Sequence, residues 1–161
     1  MKVVSDATPI ISLAKLNLLG LLRILFGNVL LSRAVFDEVC SNPKYEAEAS
    51  IVRKSNITKI IVVENRQSVE NLREAGLGIG ESEAIVLADS LPNSLLLMDE
   101  RKGRLIASSM NIKIIGTLGL LLHAKKMGHV QNIKPLLDML MRENIRISKN
   151  LYDAMLAYAE E

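Results

Sequence analysis

The sequence lacks several residue types, and their absence excludes certain kinds of protein. Its 161 residues contain no Trp, and aromatic residues make up only 3%. Stacking of nucleobases on aromatic side chains is therefore not expected as a main mode of binding. The single cysteine, Cys40, excludes a disulfide framework and is typical of a reducing cytosol. With two histidines besides, the chain has no spacing of ligands that would hold zinc.

Long apolar runs are also missing. No run reaches the roughly 18 residues that a membrane span needs, and MKVVSDATPIISLAKL lacks the features of a signal peptide. We therefore expect a cytoplasmic protein without a membrane partner. A net charge of +2 is too weakly basic to identify a nucleic-acid binder. With 49% hydrophobic and 24% charged residues, the chain is expected to fold as one domain over residues 1–161.

Short apolar runs alternate with longer segments that begin and end in helix caps and breakers. The runs predict five strands: Lys2–Ser5, Asn28–Leu31, Thr58–Val63, Leu95–Met98 and Lys113–Ile115. Helices are predicted from Thr8 to Leu25 with a turn near Asn17, from Ser32 to Asn42, over Lys44–Lys54 and Glu64–Glu74, from Gly80 to Leu91, and over Gly103–Met110, Thr117–Lys126, Ile133–Glu143 and Lys149–Glu160. This alternation predicts an α/β fold with a largely parallel sheet covered on both faces. Ligands of such sheets bind beyond the carboxyl ends of the strands.

Polar residues follow three of the predicted strands. Asp6 follows the first strand, Asp99 and Glu100 follow the fourth, and Thr117 follows the fifth after one glycine. Each also has a plainer interpretation, because Asp and Thr commonly cap helices and a first-turn Glu is favoured by the helix dipole. Both interpretations are open on the sequence alone.

The stretch GIGESEAIVLAD, Gly78–Asp89, places two glutamates at the start of a helix that is otherwise apolar. Glu81 shares a stripe with Ala84 and Ile85, whereas Glu83 lies almost opposite. A buried, unpaired carboxylate costs several kcal/mol or becomes protonated, and a shared cation removes that cost. Glu83 has a second interpretation as a cap of the first turn. We expect Glu81 to be the firmer metal ligand, and Glu83 to be a second ligand or the cap.

A further acidic residue, Glu38 in AVFDEVCSNP, borders the apolar face of its helix, although an exposed charge is the alternative. A cluster of carboxylates is a set of hard oxygen ligands, which suits Mg²⁺ or Mn²⁺. Two such ions can clamp an in-line displacement at phosphorus and generate a hydroxide nucleophile. The candidate metal ligands are Asp6, Glu38, Glu81, Glu83 and Asp99.

Four stretches resemble the PIN domain family of metal-dependent nucleases, and the resemblance covers nearly the whole chain. They are VVSDATPII around Asp6, AVFDEV around Glu38, GIGESEAIVLA around Glu81 and LLLMDERKGRLIA around Asp99. IKIIGTLGLLLHAKKMG and IRISKNLYDAMLAYA are similar to a subfamily of bacteria and archaea, close to the toxin ribonucleases of toxin–antitoxin pairs. GESEA also resembles the GEAEA motif of flap endonucleases.

The resemblance implies a three-layer α/β/α fold and Mg²⁺- or Mn²⁺-dependent cleavage of RNA. By motif match, Asp6, Glu38, Glu81 and Asp99 would be the catalytic metal ligands, with Glu83 as an additional ligand. Many PIN toxins carry an Asp in a D-x-L-I-A-A helix where this chain has the longer Glu81, so the geometry of the metal site stays open.

Basic residues close to Asp99 are candidates for contacts with RNA phosphates, and solvated helix faces are the alternative. They are Arg101, Lys102 and Arg104, and Thr117 is a further candidate because it matches a position of the subfamily. Expected partners are an RNA substrate, an antitoxin protein and a second copy of the chain. The apolar helices Leu16–Leu25 and Ile133–Met141 could form the dimer face, although core burial explains them equally well.

Two other functions compete with a nuclease. One is a PIN-like module that has lost catalysis and binds RNA or protein. The other is a small α/β phosphatase, which would need a D-x-D motif after its first strand, where this chain reads DAT. All four acidic positions of the family are present, which favours the nuclease.

Overall fold

A computed structural model describes residues 1–161. Five strands form one sheet in the order β3-β2-β1-β4-β5, and every neighbouring pair is parallel. The strands are β1 Lys2–Ser5, β2 Val29–Ser32, β3 Thr58–Ile61, β4 Ser94–Leu97 and β5 Lys113–Ile115. The predicted α/β fold with a parallel sheet is thereby confirmed.

Ten α-helices complete the three-layer α/β/α arrangement, and a short 3₁₀ helix at Pro43–Tyr45 precedes the fourth. The helices are α1 Ala7–Lys15, α2 Gly20–Phe26, α3 Arg33–Cys40, α4 Glu46–Ser55, α5 Arg66–Glu74, α6 Ile79–Asp89, α7 Arg101–Ser109, α8 Thr117–Lys126, α9 Lys134–Arg142 and α10 Lys149–Tyr158. No single helix is long and apolar enough to span a membrane. Only α1 and α2 taken together, across a bend of 119°, have the length and composition of a span.

Local signals explain where the helices start and stop. The hydroxyl of Ser32 accepts a hydrogen bond from the Val35 amide at 3.1 Å and so caps α3, as predicted. Asn17 adopts φ 55° and separates α1 from α2, because a left-handed residue cannot continue a right-handed helix. Helix α7 begins two residues before its predicted start, because Glu100 caps it through the amides of Lys102 and Gly103.

Helix α6 lies at the centre of the molecule. It packs against β1, β2 and β4 and against helices α3, α5 and α7. Eight of its eleven residues are buried, and the two acidic residues Glu81 and Glu83 lie within this apolar helix. The 38 residues of the hydrophobic core form one cluster to which α6 contributes five members. Any charged group on α6 therefore needs a partner or a route to solvent.

The sheet has a topological switch point between β1 and β4. The chain builds β2 and β3 on one side of β1 and then crosses to place β4 and β5 on the other side. Ser5 pairs with Leu97 in register, so β1 and β4 end at the same level and Asp6 and Asp99 follow at the same edge. Open parallel sheets bind their ligands in the crevice at such a point.

Candidate metal centre

Asp6 lies at the bottom of this crevice. It occupies the N-cap position of α1 without a capping hydrogen bond from its side chain, and its backbone amide donates to Leu97 O at 2.9 Å. Only 4% of the residue is exposed. Burial raises the pKa of Asp6 to about 7, against an ordinary value of 3.8. The negative charges of three other carboxylates add to the rise, and the Ala7 amide opposes it; they belong to Glu38, Glu81 and Asp99.

Glu38 reaches the crevice from α3. A Cβ atom on Gly80 would lie 2.7 Å from Glu38 Oε2 and 3.9 Å from Asp6 Oδ1, so both carboxylates reach the same point on α6. The glycine is needed there because any side chain would displace the Glu38 carboxylate. Partial burial raises the pKa of Glu38, and the charge of Glu81 raises it further. Glu38 is exposed on its outer side, so the cluster opens to solvent there.

Glu81 is the third residue of α6 and forms a capping box. Its Oε2 accepts a hydrogen bond from the Gly78 amide at 2.9 Å. Glu81 is half-buried, and its charge acts on both Asp6 and Glu38. The capping role therefore belongs to Glu81, and the assignment of this role to Glu83 was wrong.

Glu83 is buried at 4% exposure and has other partners. Its Oε1 accepts from the Ala34 amide at 3.1 Å, and its Oε2 accepts from Arg66 Nη1 at 3.0 Å. Arg66 also donates to Val63 O at 3.1 Å. Glu83 thus joins α6 to the first turn of α3 and to the start of α5. Both of its oxygens are held by these donors, and its role as a metal ligand stays a prediction.

Asp99 follows β4 and is held by the start of α8. Its Oδ1 accepts from the Thr117 amide at 2.7 Å and its Oδ2 accepts from the Thr117 hydroxyl at 2.6 Å. Asp99 is not the cap of α7, a position that Glu100 occupies. Thr117 is likewise not the cap of α8, because Gly116 takes that position. The buried Thr117 instead fixes the Asp99 carboxylate at the crevice.

Two of the three basic residues of α7 lie beside Asp99. Arg104 donates to Met98 O at 2.8 Å, which holds its guanidinium next to Asp99. Arg101 and Arg104 line a cleft of about 450 Å³ that ends at Asp99. Lys102 lies farther out, where its ammonium group approaches Gly76. The two arginines are thus placed to meet an anion bound at the crevice.

The chemistry of the crevice fits a divalent cation. Four carboxylates act on one another there, and hard oxygen ligands suit Mg²⁺ or Mn²⁺. As the side chains stand, no group of three or more Asp, Glu, His or Cys residues is arranged to hold a metal ion. The reason is visible in two of them, since Glu81 and Asp99 direct their oxygens at the Gly78 amide and at Thr117. A cation at the crevice would compete with these hydrogen bonds.

Two parts of this arrangement were not predicted from the sequence. Arg66, the partner of Glu83, lies in a polar segment without a motif, and nothing in its spacing indicates a partner on α6. Thr117 and Asp99 are 18 residues apart in the sequence, and the pairing of β4 with β5 brings them into contact. The role of Gly80 did have a signal in the sequence. This residue is the last of three closely spaced glycines, and glycines allow a close approach of the backbone to another group.

Comparison with known proteins identifies the family of the chain. A family model described as a PIN domain matches residues 2–161. No curated protein matches the chain. The match covers nearly the whole chain, including α3 and α6, which carry Glu38 and Glu81, and the residues after β1 and β4, where Asp6 and Asp99 lie. The chain therefore belongs to the PIN domain family.

Proposed function

We propose that this PIN domain, acting as a single domain over residues 1–161, is a metal-dependent endoribonuclease. PIN domains are generally nucleases. The observation that supports the proposal best is the set of three carboxylates that act on the buried Asp6 at the switch point of the sheet. Neither an inactive binding module nor a structural protein needs such a set, since gathering like charges destabilises the fold.

The proposed roles follow from the contacts. Asp6, Glu38, Glu81 and Asp99 would hold Mg²⁺ or Mn²⁺, which when bound supplies Lewis acidity and an activated water for phosphodiester hydrolysis. Thr117 holds the Asp99 carboxylate in place through two hydrogen bonds. Gly80 leaves room for the carboxylate of Glu38.

The arginines would bind phosphate groups of the RNA substrate. Arg101 and Arg104 line the cleft next to Asp99 and carry the charge that phosphate groups require. Arg104 is oriented by Met98 O, so its position is set before a substrate arrives. Lys102 lies at the edge of this surface and would add charge without fixed geometry.

The test is cleavage of a mixed RNA pool with Mg²⁺ or Mn²⁺. We expect Asp6→Asn and Asp99→Asn to reduce cleavage by about a hundredfold or more, since each removes a ligand charge from the centre. Asp37→Asn is the matched control, because Asp37 is an exposed acidic residue beside Glu38. Full cleavage in EDTA, or by both site variants, would rule the mechanism out.

The finer proposal is that the chain is the toxin of a toxin–antitoxin pair. It rests on the resemblance of the C-terminal half to that subfamily, and an antitoxin protein and a second copy of the chain are its proposed partners. Expression in bacterial cells should then arrest growth, and Asp99→Asn should abolish the arrest. Active enzyme without any effect on growth would count against a toxin and leave the nuclease intact.

A further inference from the structure

We propose that a pocket beside Asp99 binds one unpaired nucleobase of the substrate strand. The inference rests on the proposed function, because it places that base next to the scissile phosphate. The pocket has a volume of about 260 Å³ and lies between α1, α8 and the connection from α9 to α10. It shares Asp99 and Thr117 with the candidate metal centre, so whatever binds in the pocket lies against the centre.

The pocket is lined by apolar and by polar groups, and a base likewise has apolar faces and a polar edge. Its walls are aliphatic and include Leu118, Leu140 and Ile147, which suit the apolar faces of a base. Hydroxyl groups come from Thr8 and Ser12, which follow Asp6 on α1, and suit the polar edge. Recognition of a base by aliphatic walls also agrees with the scarcity of aromatic side chains.

Arg146 supplies a charge at this pocket. It belongs to the connection between α9 and α10, is exposed, and forms no salt bridge with any acidic residue of the chain. Its guanidinium is thus free to donate hydrogen bonds to the edge of a base. A nucleobase has both flat apolar faces for the aliphatic walls and acceptor atoms for this guanidinium, which favours a nucleic acid as the occupant.

The position of the pocket relative to the arginine cleft sets a path for the strand. The cleft lined by Arg101 and Arg104 and the aliphatic pocket share Asp99 and no other residue. A strand that crosses Asp99 would therefore have phosphate contacts in the cleft and one base inserted in the pocket. A base can enter such a pocket only when it is unstacked and unpaired, so the substrate is single-stranded at this nucleotide.

The experiment measures binding separately from cleavage. The probe is a fluorescein-labelled hexamer of uridine nucleotides, together with six versions that each lack one base. Binding to the Asp6→Asn protein is measured by fluorescence anisotropy with Mg²⁺ present. We expect one of the six versions to bind about tenfold more weakly, because the base in the pocket contributes to affinity.

Two variants in the same background locate this effect. Ile147→Ser makes a wall polar, and Arg146→Ala alters only an exposed side chain, so the second variant folds even where the first does not. Each should weaken binding of the intact hexamer but bind all six abasic versions alike. Ile24→Ser is the control, because Ile24 is 61% exposed on α2. This helix leads into the amino end of β2, whereas the pocket lies at the carboxyl ends of the strands.

The outcomes test base binding in the pocket separately from the proposed nuclease activity. Three outcomes would overturn the proposed base-binding pocket. The first is equal affinity for all abasic versions, and the second is the absence of any binding. The third is a weakening by one missing base that is as large in Arg146→Ala as without this substitution. Base-independent RNA binding, combined with loss of a protein partner in Ile147→Ser, would assign the pocket to a protein instead and also overturn it. A base-dependent affinity in a chain that cleaves no RNA would support the pocket and refute only the proposed nuclease.

Discussion

Glu81 and Glu83 are two residues apart and carry the same side chain, yet the structure gives them different surroundings. Glu81 is half-buried, caps its own helix and faces the charges of Asp6 and Glu38. Glu83 is buried, and both of its oxygens are occupied by donors, the Ala34 amide and Arg66. The two oxygens of Glu83 therefore satisfy a structural role, whereas the carboxylate of Glu81 faces like charges that a cation would neutralise.

This difference predicts separate effects for two conservative substitutions. Glu83→Gln keeps an oxygen for the Ala34 amide but loses the charge that pairs with Arg66, so it should lower the free energy of unfolding by about 1–2 kcal/mol. Its affinity for Mn²⁺ should stay unchanged. Glu81→Gln should weaken Mn²⁺ binding by about tenfold, because it removes a ligand charge. Urea unfolding and calorimetric titration with Mn²⁺ measure the two quantities.

The comparison also has an outcome that would restore the original ligand assignment. If Glu83→Gln weakens Mn²⁺ binding as strongly as Glu81→Gln does, Glu83 leaves Arg66 for the metal ion in the loaded protein. Arg66→Gln separates the remaining cases, since it removes the partner of Glu83 without altering any carboxylate. It should reproduce the loss of stability and leave metal affinity unchanged.

Among the elements, α6 brings the cluster together through a residue without a side chain. A Cβ atom on Gly80 would meet Glu38 Oε2 at 2.7 Å, which forces the carboxylate to move, but it would meet Val35 Cγ2 at an ordinary 3.5 Å. The displaced atom is the end of a flexible side chain, so folding is little affected. Alanine is also the better helix former by roughly 0.5–1 kcal/mol.

Gly80→Ala should therefore reduce activity without reducing stability. We expect RNA cleavage to fall by about tenfold because Glu38 no longer reaches the point that it shares with Asp6. The melting temperature should stay equal or rise. Gly20→Ala is the matched control, since Gly20 begins α2 and a Cβ atom added there would meet no other atom within 4 Å. A loss of stability in Gly80→Ala would show that Val35, and not Glu38, limits the space.

The bounds of the elements could be predicted from the sequence because they depend on neighbouring residues. Ser32 caps α3 through an amide three residues away, and Asn17 ends α1 by its own backbone conformation. Contacts between distant residues carry no such local signal. Glu83 binds Arg66 and the Ala34 amide, and Thr117 binds Asp99 instead of capping α8, because these roles depend on how the helices meet the sheet and one another.

For the whole molecule, alternation of strands and helices predicted a parallel sheet but not its order. The order β3-β2-β1-β4-β5 places β1 at the centre, with β4 as its neighbour despite 88 residues between Ser5 and Ser94. This order puts Asp6 and Asp99 at one edge. The sequence therefore indicated which residues form the site, and the order of the sheet explains why they meet.

Burial of Asp6 at this edge, next to the other carboxylates, has a cost which the pH dependence of stability should reveal. The pKa of Asp6 is about 7 in the folded chain, against 3.8 ordinarily, so the folded state binds the proton more tightly than the unfolded state does. The contribution of Asp6 to the free energy of unfolding is then greatest below pH 4, falls as the pH rises to 7, and is constant above pH 7. The penalty amounts to about 4 kcal/mol at most.

Asp6→Asn removes this ionisation and so should stabilise the metal-free protein in a pH-dependent way. In EDTA, the free energy of unfolding of the variant should match that of the wild type near pH 4 and exceed it by a few kcal/mol at pH 8. Contributions from carboxylates far from Asp6 cancel in the difference, whereas the carboxylates that act on Asp6 contribute to it together with Asp6. Adding Mn²⁺ at pH 8 should stabilise the wild type more than the variant, because binding to the folded state is linked to folding. Urea unfolding at several pH values measures this difference, and a difference that does not vary with pH would mean that the Asp6 carboxylate is neither buried nor held among like charges.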